Sequence, residues 1–526
     1  MTRTTIVTAT PPTPNGDLHV GHICGPYLGA DIYTRYLRLK NETAAYVSYS
    51  DHNQTYVVST AAKMNAMPMA LADDYADKIR ETLEMAGIEA DTFHNPDAEH
   101  VAFVQKFFQR LYEHGKLTSK TKHVWTDAVD GSMIFESYLR GHCAVCFAET
   151  AGAICENCGH PNDATTLKLP RNAIAPKHGL VRSEVKLFVL ELERYRQEIT
   201  RFFSEKSKHW RPHLLQLVDE LLARPLPDYP VTYVSDWGIP AQIPGHEGQV
   251  FNVWAEMMPG LIHAAEIAAG KRHDGSLHWE RTADTRIVQF LGYDNSFFFA
   301  LVHLAMSFAD GRMRQPDFIV TNEFYEFENF KFSTSKRNLI WGRDLLAEVP
   351  KDRVRYYLAL SNPEHQKVNF TRAGMDKLLD ARLISPWRKV DAQLIDAAAR
   401  AGVRPGDRLE VTAEQRTELQ SILDRFEQFY TVEKFSPQRI AEHVSALLIY
   451  ASNCLSDVVP SIGRQQVAFV YGLVANVLPV VLAPLMPESA AGIRVRLEMP
   501  SITGWEVQPE ITDLTWSLSK PMAALI

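Results

Sequence analysis

The sequence predicts an α/β protein: a Rossmann-like domain split by an inserted zinc-knuckle domain and followed by a C-terminal α-helical bundle. Three observations predict it. Residues 1–115 alternate β-rich and helical runs, the pattern of a half-sheet covered by helices. Four cysteines then cluster as Cys143-Ala-Val-Cys146 and Cys155-Glu-Asn-Cys158. Beyond residue 376, long stretches place apolar residues at helical spacing.

Residues 1–115 form the first half of the Rossmann-like domain. Thr5-Ile6-Val7-Thr8-Ala9 reads as a strand. A proline-rich turn and Pro14-Asn15-Gly16-Asp17-Leu18-His19-Val20-Gly21-His22 follow, opening a helix from about His22 to Leu39. Further helices are predicted over Met69–Ala86 and Ala98–His114, the second stopped by Gly115. Two histidines flanking a glycine at a strand-to-helix turn suit a nucleotide. The glycine permits close approach, the helix start offers N–H groups, and imidazoles donate to an α-phosphate. The residues alone equally allow a turn holding two hydrogen-bonded histidines.

Residues 116–225 are the insertion. Its two C-x-x-C pairs supply four thiolates to one tetrahedral zinc, a closed and therefore structural shell. Two disulfides are the weaker alternative. Cys24 and Cys454 stand alone and read as buried thiols. Glu184 to Lys206 reads as a charged helix, and Arg224-Pro-Leu-Pro-Asp-Tyr-Pro230 marks a boundary. The sheet resumes near Val231, so residues 226–325 complete the domain. A connecting module, 326–375, carries Lys331-Phe332-Ser333-Thr334-Ser335-Lys336-Arg337-Asn338. Such a basic, hydroxyl-rich loop suits a clamp on a departing pyrophosphate. A solvated charged loop is the plainer reading.

Residues 376–526 are helix-rich, with helices predicted over Ala413–Tyr430, Pro437–Leu455 and Arg464–Leu478. The apolar run Val467–Met486 contains Pro479 and Pro484 and reads as a buried bundle helix, not a membrane span. With 526 residues, the chain has room for two to four domains. A formal net charge of −8 gives no broad pull toward nucleic acid, although one basic face would suffice for it. No charged-then-apolar leader is evident, so a cytoplasmic enzyme without membrane attachment is expected.

In their order and separation, the Pro14–His22 and Lys331–Asn338 segments resemble the HIGH and KMSKS signatures of class I aminoacyl-tRNA synthetases. The knuckle between them resembles the methionyl-tRNA synthetase family in particular. So do Trp237-Gly238-Ile239-Pro240, Val253-Trp254, Gly292-Tyr293-Asp294-Asn295 and Arg353-Val354-Arg355-Tyr356-Tyr357-Leu358. The resemblance runs from about residue 4 to about 490. It implies an amino-acid-activating ligase that uses ATP and Mg2+ to form aminoacyl-AMP and pyrophosphate. It implies that His19, His22, Lys331 and Lys336 are catalytic. Gly21, Gly292, Asp294, Ser333 and Ser335 would bind ATP. Asp51 would hold the substrate amino group and Trp254 would wall the amino-acid pocket. Cys143, Cys146, Cys155 and Cys158 would hold the structural Zn2+, and the helical tail would bind an anticodon.

The departures are as specific as the matches. Thr334 replaces a second lysine of the loop, which Lys336 would have to replace in turn. The family's Asp-x-His-Gly run becomes Asp51-His52-Asn53-Gln54. At the pocket, a leucine becomes Pro11 and a tyrosine becomes Thr13. Asp-Ala-Pro-Ile-Gly-Tyr becomes Glu256-Met257-Met258-Pro259-Gly260-Leu261, a histidine becomes Phe299, and aromatic positions become Val302 and His303. An arginine aligns with Tyr233. A pocket discriminates apolar side chains by only about 1–3 kcal/mol per methylene. So many changes predict an amino acid other than methionine, smaller or differently polar, with Met257 and Phe299 filling the methionine space. In the tail, Asn453–Pro460 lacks the family's anticodon-stacking tryptophan. Pro386 would disturb an earlier helix, and Trp387 and Arg388 read as core and surface. The expectation is a small-molecule nucleophile as acyl acceptor in place of tRNA. Two alternatives stand beside it: a methionine–tRNA ligase with a divergent pocket, and a non-catalytic synthetase-like binding or regulatory protein.

Overall fold

A computed structural model describes residues 4–272, 279–281, 284–328, 330–331, 339–456, 463–512, 514–518 and 522, with backbone alone at 271, 272, 330 and 331. The chain forms two compact units. One comprises 1–17, 45–82 and 89–323, and the other 18–44, 83–88 and 324–526.

A five-stranded sheet centres the first unit, in the order Phe318–Asn322, Thr285–Gly292, Thr4–Ala9, Ala44–Tyr49, Thr92–His94. Thr4–Ala9 runs parallel to Thr285–Gly292, which runs parallel to Phe318–Asn322. Ala44–Tyr49 runs parallel to Thr92–His94. Strands from either side of the insertion therefore build one sheet. Thr4–Ala9 is buried along its whole length, as a strand covered on both faces must be. Ile6, Val47, Ile287 and Ile319 share one apolar core with Phe107, Phe108 and Leu261.

In the insertion, Thr118–Asp127 pairs antiparallel with Leu180–Glu191, from Thr118↔Val189 to Asp127↔Leu180. This corrects the helix predicted over Glu184–Lys206. Val185 and Leu187 alternate with the exposed Glu184 and Lys186, a period of two, and Phe188, Val189 and Leu190 continue the strand as a buried apolar run. The helix begins only at Arg196 and runs to Lys206, burying Ile199, Phe202 and Phe203. The helices predicted from Met69 and Ala98 are present as Pro68–Met85 and Ala98–Glu113.

In the second unit, the helix predicted from His22 is broken. Val20–His22 leads into a π-turn, Ile23–Tyr27, and then the helix Leu28–Leu39. Gly25, at φ −76° and ψ −119°, and Pro26 account for the break. The tail packs helices Ser385–Arg400, Ala413–Tyr430, Pro437–Cys454 and Arg464–Gly472, the last continuing through a π-turn to Leu482. Arg464–Leu482 is long and apolar enough to cross a membrane, but 89% of its apolar window is buried within the protein. Pro386 stands just after the π-turn Asp380–Ile384 in a run that is helical from Arg372 to Arg400, so it shifts the helix's hydrogen-bond register without ending the helix. Trp387 is 1% exposed and packs in the core. Residues 457–460 of the late segment lie outside the described residues.

Candidate active site

In the second unit, His19 has extended backbone (φ −87°, ψ 166°) and caps the short helix Val20–His22. Its Nδ1 accepts from the His22 N–H at 3.3 Å, and His22 Nδ1 accepts from the His19 N–H at 3.4 Å. The rings stack with centroids 3.6 Å apart and planes 15° apart. Accepting at Nδ1 places each ring hydrogen on Nε2, the kind of donor a phosphate oxygen takes. A Cβ on Gly21 would stand 3.1 Å from the His19 ring and 3.2 Å from Tyr325 Cβ, so any side chain there would push the imidazole.

This turn is tied to the chain just beyond the basic loop. Val20 N–H donates to the Ile340 carbonyl at 3.1 Å, and Gly342 N–H donates to the Leu18 carbonyl at 2.7 Å. His19 and Trp341 form the bridge between them. The Lys331 backbone pairs with Glu326. Its side chain, with Ser333, Thr334, Ser335 and Lys336, lies outside the described residues.

The remaining predicted residues fall in the first unit. Met257, Met258 and Leu261 lie buried on the helix Val253–Arg272. Trp254, on the same helix, is half-buried and stacks on Phe298 at 4.1 Å and 12°. Phe299 and His303 are buried on the π-segment Phe298–His303. His303 Nε2 bonds the Trp254 carbonyl at 2.7 Å, and burial depresses its pKa to about 4, leaving a neutral ring. Pro11 is buried and Thr13 half-buried. A Cβ on Gly292 would stand 2.8 Å from Asp294 Oδ1, which accepts from Asn295 Nδ2 at 2.9 Å. Desolvation raises the Asp294 pKa.

Asp51 anchors an acidic compartment. It is fully buried, its backbone N–H donates to the Pro12 carbonyl at 2.9 Å, and neither carboxylate oxygen has a hydrogen-bond partner among the described residues. Burial drives its pKa well up, and Glu256 and Glu136 add to the shift. The Gln54 amide partly offsets this without reaching hydrogen-bond geometry. A carboxylate so placed requires a proton or a cation, and an ammonium group fits it. Glu256 Oε1 accepts from Asn53 Nδ2 at 2.8 Å and faces His100 Nε2 at 3.4 Å. Its Oε2 is buried without a partner among the described residues, as are the Tyr49 hydroxyl and both amide atoms of Gln54. Glu136, at φ +46°, accepts from Thr55 Oγ1 at 3.1 Å, and burial raises its pKa to about 8. Tyr49, His100 and Glu136 are not among the residues that the sequence motifs mark. Tyr49 stands two residues before Asp51 and was findable there. His100 and Glu136 carry no local motif and join the cluster only through the fold.

The four knuckle thiols lie within 4.8 Å of one another. Cys143 and Cys158 Sγ are 3.7 Å apart, and Cys146 and Cys155 Sγ 3.5 Å. A tetrahedral zinc with Zn–S bonds of about 2.3 Å has S–S edges of about 3.8 Å, so the four residues fit that metal. Disulfides, with S–S near 2.05 Å, do not describe this geometry. The knuckle also abuts the Gly292–Asn295 turn. The Tyr293 hydroxyl donates to the Cys158 carbonyl at 3.5 Å, and its ring stacks on His213 at 3.7 Å and 11°. His213 Nδ1 in turn bonds Glu323 Oε1 at 2.7 Å.

The family model described as tRNA synthetases class I (M) matches residues 5–390. A methionine–tRNA ligase of Bacteroides fragilis is 29% identical over 536 residues, covering 98% of this chain and 78% of that protein. That of Flavobacterium psychrophilum is 33% identical over 371 residues, covering 69% of this chain and 54% of that protein. A solved structure of Mycobacterium tuberculosis methionyl-tRNA synthetase bound by methionyl-adenylate is similar with a TM-score of 0.77 and 17% identity, covering 99% of this chain and 100% of that one. At that identity the likeness is one of fold.

Proposed function

The chain belongs to the class I tRNA synthetases (M), a family of ligases, and from that membership we propose that it joins methionine to tRNA through an aminoacyl-adenylate made from ATP. The observation that carries the proposal is the stacked His19–His22 pair, tied by backbone hydrogen bonds to the chain that follows the basic loop. The relatives named above are methionine–tRNA ligases. The small-nucleophile acceptor expected from the sequence finds no support among them, and tRNA takes its place. A cytoplasmic location is part of the same proposal.

The amino-acid carboxylate attacks the α-phosphorus of ATP, and pyrophosphate leaves. His19 and His22 donate from Nε2 to phosphate oxygens as charge builds there. Lys331 and Lys336 neutralise the departing pyrophosphate, and Ser333 and Ser335 hydrogen-bond it. Mg2+ shields the phosphate charge when bound. Gly292 and Asp294 receive the ribose, and Gly21 leaves room for the nucleotide. Asp51 holds the substrate ammonium, which supplies the cation its buried carboxylate lacks. Trp254, Met257, Met258, Leu261, Phe299, His303, Pro11 and Thr13 shape the side-chain pocket. Zinc on Cys143, Cys146, Cys155 and Cys158 supplies structural cross-linking.

A second reading concerns the amino acid alone. Glu256 Oε2, the Tyr49 hydroxyl and the Gln54 amide are buried without partners among the described residues, beside a carboxylate that one ammonium already satisfies. Met257, Leu261 and Phe299 are each no more than 1% exposed. Those observations favour a smaller amino acid with a polar side chain over methionine.

ATP–pyrophosphate exchange across an amino-acid panel, followed by tRNA charging, separates the readings. Exchange with methionine and charged tRNA supports the first. Exchange with another amino acid only supports the second. Exchange without charging overturns tRNA as acceptor, and silence throughout overturns the ligase proposal.

A further inference from the structure

Tyr293 sits between Gly292 and Asp294, the two residues proposed to receive the ribose, and it is 2% exposed. Its side chain points away from that role. The hydroxyl donates to the carbonyl of Cys158, one of the four clustered thiols, at 3.5 Å. The ring lies flat on His213, with centroids 3.7 Å apart. His213 is itself fixed by Glu323 at 2.7 Å, and Glu323 follows directly on the sheet strand Phe318–Asn322.

Gly159, at φ +71°, completes the contact. A Cβ there would stand 3.3 Å from Tyr293 Cε1 and 2.7 Å from Leu217 Cδ2, so the knuckle backbone reaches the ring only because residue 159 is glycine. The Cys158 carbonyl also bonds His160 Nδ1 at 3.2 Å. The knuckle thus touches the Gly292–Asn295 turn through Tyr293, whose side chain meets Cys158 and Gly159 on one side and His213 on the other.

We infer that Tyr293 is a positioning residue that couples metal occupancy of the knuckle to nucleotide binding at the Gly292–Asp294 turn. The inference rests on the ligase reading, because it takes ATP to bind at that turn. Without the metal nothing ties the four cysteine side chains to one point, and the segment carrying Cys158 loses that anchor. Cys158 moves with its carbonyl, and Tyr293 loses its hydrogen bond and the wall that holds it on His213. Gly292 and Asp294 flank Tyr293 on the same short turn, so their backbone follows it. Losing contacts in the layer around metal ligands typically changes metal affinity or activity by about 10–100-fold.

The test is ATP affinity, read directly by calorimetry on the full chain with and without zinc, alongside zinc content and the ATP KM and kcat. Zinc removal is expected to weaken ATP binding about tenfold or more. Tyr293→Ala, with zinc retained, should do the same and raise the ATP KM more than it lowers kcat. Tyr293→Phe keeps the stack and loses only the hydroxyl, so it should lie between. Equal ATP affinity in the loaded, zinc-depleted and Tyr293→Ala chains overturns the inference while leaving the ligase reading intact. Absence of ATP binding to the loaded wild-type chain overturns that reading and this inference together. Should Tyr293→Ala fail to fold, His213→Ala and Tyr293→Phe carry the test.

Discussion

Gly260 lies against the face of Tyr49: a Cβ at residue 260 would stand 2.6 Å from the Tyr49 ring carbons Cε1 and Cζ and 2.7 Å from its hydroxyl. The helix Val253–Arg272 thus meets the Ala44–Tyr49 strand at a point where one added carbon does not fit. Glu256 is one helical turn earlier, on the same face. It and Asp51 both push the Tyr49 phenol pKa up, after burial itself, so the glycine sets the ring beside both carboxylates. Gly260→Ala is expected to destabilise the chain by about 1–3 kcal/mol through overpacking. Adding Tyr49→Ala removes the obstacle, so the double variant should lose less than the two single variants summed. Urea titrations of the four proteins measure this, and simple additivity refutes the contact.

His19 and His22 make separate predictions for rate. Each is expected to donate one hydrogen bond to developing phosphate charge, so His19→Ala or His22→Ala should lower kcat of amino-acid activation about 10²–10³-fold. Their combined loss should be less than the product, because the two rings orient one another. His19→Ala also removes a helix cap and should cost about 1 kcal/mol of stability, which urea titration reports apart from the rate. Unchanged exchange kinetics in either single variant would remove that histidine from the proposed mechanism.

What could be read from the sequence depended on how local the signal was. The four knuckle cysteines lie within a short segment, and their spacing already stated the metal geometry. Likewise, the i, i+3 relation of His19 and His22 contained their mutual capping. Glu184–Lys206 misled because its charges mask an alternation of apolar residues, and the pairing partner Thr118–Asp127 is remote in sequence. Gly25-Pro26 interrupts a helix whose apolar spacing runs on past it. The acidic compartment was illegible for a stronger reason. Asn53, His100, Glu136 and Glu256 come from a turn and three separate helices, and no window of sequence contains them.

Glu136 gives a pH dependence with a definite sign. Its pKa rises from 4.5 unfolded to about 8 folded because burial disfavours the carboxylate. Between those values the folded chain holds a proton that the unfolded chain has released. Stability from this group is therefore fully present below about pH 4.5 and is lost as pH rises toward about 8, on the order of a few kcal/mol. Glu136→Gln keeps a neutral acceptor for Thr55 and has no proton to lose. Unfolding free energies at pH 5.5 and 8.5 should thus fall less in the variant than in the wild type. Equal losses in both would place the titrating group elsewhere.

Arg355 gives the largest stability effect expected within the second unit. Its guanidinium is 1% exposed and donates to Asp31 Oδ2 at 2.7 Å, to the carbonyls of Leu485 at 2.7 Å and Pro484 at 2.9 Å, and to those of Gly87 at 3.1 Å and Ala86 at 3.2 Å. Asp31, also buried, shares the same oxygen with Arg35 Nε at 2.9 Å. One planar cation therefore joins the Leu28–Leu39 helix, the 83–88 segment and the bundle. Replacing it leaves the buried Asp31 carboxylate with Arg35 as its cation, and takes the guanidinium donor from the carbonyls of Leu485, Pro484 and Ala86, while that of Gly87 keeps Arg35 Nη2 at 2.9 Å. Arg355→Met is expected to cost about 3–5 kcal/mol. Arg355→Lys should recover little of this, because a point charge cannot present the forked donors these acceptors require. Asp31→Asn added to Arg355→Met removes a buried charge that has lost one of its two arginines, and the pair should be more stable than Arg355→Met alone. Guanidinium chloride titrations of the three variants decide it: a double variant no more stable than Arg355→Met would show that the carbonyls, and not the ion pair, hold the arginine in place.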